Sequence, residues 1–108
     1  MASGDSDGAW AFPDAPDANV LTRWRILRGE EWIQYVAHDE GDYGWRFHPH
    51  LLAPESETAV VSLHTIVAID PSVTALADLP PGWCAWRDRK TAPWQRARQA
   101  DHEPHPAR

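Results

Sequence analysis

The stretch Val60-Val61-Ser62-Leu63-His64-Thr65-Ile66-Val67-Ala68-Ile69-Asp70-Pro71 changes its hydrophobic period partway along, and that change decides the fold. Residues 59–63 are apolar enough for a buried central strand. From Leu63 onward, Leu63, Ile66 and Val67 fit the 3.6-residue period of a helix instead. Ser62 stands at the switch, where its hydroxyl can accept one of the N–H groups a helix start leaves unpaired. Asp70-Pro71 interrupts the helix. Asp70 is placed to cap a second short helix, with Pro71 in the tolerated first position. Val73, Leu76 and Ala77 give that second helix an apolar side, and Pro80-Pro81-Gly82 stops it. This is the longest apolar segment in the chain, so the core must be built on it.

Working outward, strand patterns flank the segment on both sides. Residues 20–27 alternate roughly as a strand, with Trp24 and Ile26 opposite Arg23 and Arg25, and residues 32–38 form a second run. The short connection at Gly29-Glu30 predicts that these two pair as an antiparallel hairpin. His38 to Gly44 is an acidic, glycine-containing turn. Trp45-Arg46-Phe47-His48 follows as a short strand that Pro49 ends, because proline cannot donate to a ladder. Residues 83–87 and 94–96 supply two more strands, the last at an edge. The expectation is α+β: a mainly antiparallel sheet of about five or six strands, packed on two short helices broken at Asp70-Pro71.

A chain of 108 residues supports one modest core. Residues 20–98 read as that domain. Residues 1–19, rich in small residues, Asp, Gly and Pro, read as a flexible N-terminal tail in which only Trp10 and Phe12 have the size to dock. Residues 99–108 read as a flexible C-terminal tail. The single cysteine, Cys84, excludes an internal disulfide framework and fits a reducing compartment. No stretch approaches the roughly 18 apolar residues of a membrane helix, and the acidic start carries no secretory pattern. These features together predict a cytoplasmic protein with no membrane partner.

Charge is distributed unevenly. Between residues 29 and 78 stand nine acidic side chains and one basic one, Arg46, whereas residues 87–98 hold five basic side chains and one acidic one. An acidic middle repels phosphate, which argues against nucleic acid, and favours a basic protein surface. The candidate binding residues are therefore Asp39, Glu40, Asp42, Tyr43, Glu55 and Glu57, with carboxylates for steering and Tyr43 for contact area. No motif points to catalysis. Ser62 and His64 lack a nucleophile elbow, Cys84 sits mid-strand like an inert buried thiol, and no phosphate-binding glycine loop is present. No cofactor is implied. His38, His48 and His50 motivate a different reading, a metal- or small-molecule-binding domain, although no recognised zinc spacing links them.

The series His38-Asp39, Asp42, Gly44-Trp45-Arg46-Phe47, then Val61-Ser62-Leu63-His64-Thr65-Ile66, Asp70-Pro71-Ser72 and Leu79-Pro80-Pro81-Gly82-Trp83 resembles the immunity-protein-33-like family of small bacterial domains. The shared features are an aspartate-rich turn before a Gly-Trp-x-Phe strand, a Leu-x-x-Ile helix leading to Asp-Pro, and a proline-glycine turn before an aromatic strand. The resemblance covers about residues 16–98. It implies a small α+β domain and, for some members, neutralisation of a protein toxin by direct binding. It brings no active site with it.

Overall fold

A computed structural model describes residues 10–40, 44–49 and 58–100. In chain order these form β1 (Asn19–Arg23), α1 (Trp24–Leu27), β2 (Tyr35–His38), β3 (Trp45–His48), β4 (Thr58–Ser62), α2 (Leu63–Ile69), a 3-10 helix (Pro71–Leu76), β5 (Trp83–Trp86) and β6 (Gln95–Arg98). The six strands make one sheet in the order β4-β1-β3-β2-β5-β6. Every neighbouring pair is antiparallel except β1 with β3, which run parallel through Leu21 and Arg46. The fold is thus α+β with a mixed, mostly antiparallel sheet.

The period change is where the sequence places it. Ser62 ends β4 and caps α2, its hydroxyl accepting from Thr65 N at 3.1 Å. Asp70 ends α2 and caps the next turn through Ser72 N at 3.1 Å, with Pro71 in the first turn. That second segment is a 3-10 helix; its tighter turn still buries Val73 and Leu76.

Three expectations fail. Residues 20–27 are not one strand, and β1 does not form a hairpin with β2. The chain leaves the sheet at Trp24 into a single helical turn that buries Ile26, and β3 lies between β1 and β2. The alternation of Trp24 and Ile26 suits a strand, but burial of Ile26 in the core is served as well by a turn of helix. Residues 59–63 do not supply a central strand either: β4 lies at the sheet edge with β1 as its neighbour. Its apolar character is only half used, since Ala59 is buried while Val60 is 50% exposed.

Cross-strand partners share a face, so the register sorts the two sides of the sheet. Val36, Phe47 and Ala85 lie on one face, with Val20 and Trp45, and the helical residues Leu63, Ile66, Val73 and Leu76 join them in a single core. The other face carries Leu21, Tyr35, Arg46, His48 and Trp86. Residues 10–18, read from sequence as tail, contribute to the core. Phe12 is 5% exposed and meets the Trp45 ring edge-on at 5.3 Å, and Trp10 packs beside it.

One buried cation ties the layers together. Arg87, 1% exposed, follows β5 and points to the helical side. Its guanidinium donates to the Ile33 carbonyl at 3.0 and 2.7 Å, to Ser72 Oγ at 2.9 Å and to Asp70 Oδ2 at 2.6 Å. The rings of Trp94 and Trp32 lie 4.2 and 5.5 Å from its centre. A buried charge is tolerated only when paired and hydrogen-bonded, and Arg87 meets both conditions. Burial raises the Asp70 carboxyl, but hydrogen bonds from Ser72 and Arg87 outweigh it and hold Asp70 below its ordinary value.

Candidate functional site

The acidic turn between β2 and β3 borders a cleft of about 630 Å³. Asp14, Asp39 and Glu40 line it, together with His38, Asn19 and Trp45, and among the described residues no lysine or arginine lines it. Two turns bring these groups together. The Asp39 N–H donates to the Gly44 carbonyl at 2.5 Å, which closes the β2–β3 connection, and Gly44 takes a φ of +66° that suits glycine. On the other side, Trp10 and Phe12 dock, and Trp10 Nε1 donates to the Asp14 carbonyl at 2.7 Å. Trp45 Nε1 then donates to Asp14 Oδ1 at 3.2 Å, fixing that carboxylate at the cleft.

The carboxylates have different freedom. Glu40 is exposed. Asp39 is half-buried and accepts from Arg46 Nε, from Arg46 Nη2 at 3.2 Å and from Gln99 Nε2 at 3.0 Å. Burial pushes the Asp39 carboxyl up, but the hydrogen bonds from Arg46 and Gln99 prevail and lower it. Asp39 is therefore held ionised and oriented, which suits electrostatic recognition and opposes a role as proton donor. Gln99, assigned from sequence to a tail, also donates to the carbonyls of His38 and Trp83 and so clips β6 to this turn.

The histidines do not converge. His38 lies on the helical face, stacked on Trp45 at 3.9 Å, and its Nδ1 donates to the Leu79 carbonyl, which can only accept. His48 lies on the opposite face beside Tyr35 and Arg46. Burial, with the nearby Arg46 and Arg23 charges, pushes its pKa down to about 4, so it is neutral at physiological pH. On the same face burial and the neighbouring Cys84 push the Tyr35 phenol up, so it too stays neutral. Among the described residues no group of three or more His, Cys, Asp or Glu side chains is placed to hold a metal ion. His50 lies outside the described residues.

Of the candidate binding residues, Asp39 and Glu40 border the cleft, whereas Asp42, Tyr43, Glu55 and Glu57 lie outside the described residues. Sequence reading missed Asp14. The pair of large aromatics just before it, Trp10 and Phe12, was the available signal. A second hollow of about 570 Å³ is basic instead, bordered by Arg87, Lys90, Trp94 and Arg96 beside the 3-10 helix. Arg87 there is fully engaged by the fold, and Arg96 donates to the Ala75 carbonyl at 2.6 Å and pairs with Asp78 at 2.8 Å. Trp83 and Trp86 stand on opposite faces of β5 and form no shared stacking platform.

No family model matches the chain, and neither a curated protein nor a solved structure matches it significantly. Among the described residues, no helix is long and apolar enough to cross a membrane.

Proposed function

We propose that this chain is a non-catalytic protein-binding domain whose acidic cleft receives lysine or arginine side chains of a basic partner. The observation that carries this reading is the lining of the cleft: among the described residues it holds Asp14, Asp39 and Glu40 and no lysine or arginine, Arg46 reaching Asp39 from outside the lining. Asp14 and Asp39 are pre-oriented by Trp45, Arg46 and Gln99, so little ordering is left for the moment of binding. The resemblance to immunity-protein-33-like domains makes a bacterial protein toxin the favoured partner, met in the cytoplasm.

The test is titration calorimetry of the full-length chain against basic proteins encoded beside its gene, in low and high salt. Binding that weakens with salt and falls at least about tenfold on Glu40→Lys supports the reading, because rim charges set steering and salt dependence. Binding indifferent to salt and to charge reversal at both Glu40 and Asp14 overturns it.

A further inference from the structure

The two edges of the sheet are protected differently. Edge strands carry unpaired backbone groups, and proteins commonly guard them with charge or proline. β6, Gln95–Arg98, has Arg96 and Arg98 on the strand and Pro93 just before it. β4, Thr58–Ser62, reads Thr-Ala-Val-Val-Ser, with neither charge nor proline. The Leu63 N–H donates to the Ala18 carbonyl at 2.8 Å. By the alternation of an antiparallel ladder, Ala59 and Val61 therefore turn their backbone groups to β1, and Thr58 and Val60 turn theirs outward. Val60 also leaves half its side chain exposed, at 50%.

We infer that β4 is a self-pairing edge, along which a second copy of this chain adds antiparallel to join two sheets into one. The occupant follows from the order of side chains. With a two-fold axis through Val60, Thr58 faces Ser62 of the second copy, Ala59 faces Val61, and Val60 faces itself. Polar residues meet polar residues, apolar meet apolar, and no like charges are opposed, which is what an isologous interface requires. β6 paired with itself would bring arginines together. Leu21 is the cross-strand partner of Val60, so pairing also extends one apolar row across the axis, from Leu21 and Val60 to their counterparts.

Sedimentation equilibrium of the full-length chain over a concentration series tests this. The expected result is a mass rising from the 12.2 kDa monomer towards twice that value. Val60→Lys should weaken dimerisation by about tenfold or more by opposing two charges across the axis, with an unchanged circular dichroism spectrum. Val60→Cys supplies an independent measurement. Directly opposed residues in a hydrogen-bonded pair lie about 5.5 Å apart at Cα, within disulfide reach, and the native thiol Cys84 is buried. Oxidation should therefore give a covalent dimer from Val60→Cys but not from Arg96→Cys. A chain that stays monomeric throughout, a dimer unchanged by Val60→Lys, or failure of Val60→Cys to cross-link overturns the proposal. Salt separates it from the partner reading: copies with a net charge of −6 repel, so salt should strengthen self-pairing while weakening a basic partner's binding.

Discussion

Two of the aspartate–arginine pairs among the described residues serve different ends. Asp70–Arg87 lies between the helical layer and the sheet, with side-chain exposures of 13% and 1%. Asp39–Arg46 lies across the β2–β3 hairpin, with both side chains about one-third exposed, at 33% and 34%. The first replaces water almost completely, with partners from the 3-10 helix, the segment before β2 and two tryptophans. The second keeps contact with solvent and orients a carboxylate that borders the cleft. The same two residue types thus make a fastener in one place and a positioned charge in the other. Burial decides which, because desolvation makes an interrupted pair costly only where water cannot return.

Breaking the buried pair should have the largest effect. Arg87→Met removes the guanidinium donor from Asp70 Oδ2 and from the Ile33 carbonyl and should cost about 3–5 kcal/mol in urea denaturation. Asp70→Asn should cost less, about 2–3 kcal/mol, because an asparagine oxygen still caps the 3-10 helix while the ion pair is lost. Asp39→Asn should cost under about 1 kcal/mol, as for other solvent-screened pairs, and should register mainly in partner binding.

Acid sharpens the same contrast. Both aspartates have depressed native values, so the unfolded chain binds more protons as pH falls below the ordinary carboxylate range, about 3.9. Their stabilisation is present above that pH and is lost as pH drops through the lower native values. Asp70→Asn should flatten this acid limb more than Asp39→Asn, as read from melting temperature against pH. His48 acts over a higher pH range than either aspartate, its native value near 4 lying below its ordinary 6.5. Its neutral state stabilises the fold fully above 6.5, and the stabilisation falls away as pH drops from 6.5 to about 4. His48→Gln should remove that slope, and its imidazole resonances in the native protein should stay unshifted until about pH 4.

What could be read in the sequence follows the range of the forces involved. The change of period at Ser62 and the break at Asp70-Pro71 were legible because their causes are local, hydroxyl and carboxylate caps reaching two or three residues ahead. The order of strands was not. Nothing near residues 19–23 records that β3 will lie alongside, and apolar residues at positions 59–63 suit a buried strand as well as an unguarded edge. Arg87 was hidden for a similar reason: within a basic stretch it looks like its exposed neighbours Arg89 and Lys90, and only Asp70 and Ser72 set it apart. Of the cleft, Asp39 and Glu40 were visible as turn carboxylates. Asp14 was not, because its place depends on aromatics docking onto a sheet that is made later in the chain.

The parallel pairing of β1 with β3 has a consequence for the order of assembly. β2 and β3 are neighbours in sequence and can close as a hairpin across a short loop. β1 cannot join them locally: its parallel partner is β3, and its other neighbour, β4, meets it from Asn19 opposite Ser62 to Arg23 opposite Thr58. Closing such distant segments is the slow part of folding a small domain. During synthesis, the earliest of the six strands must therefore keep one edge, the one that β4 later covers, open until residue 62 has left the ribosome.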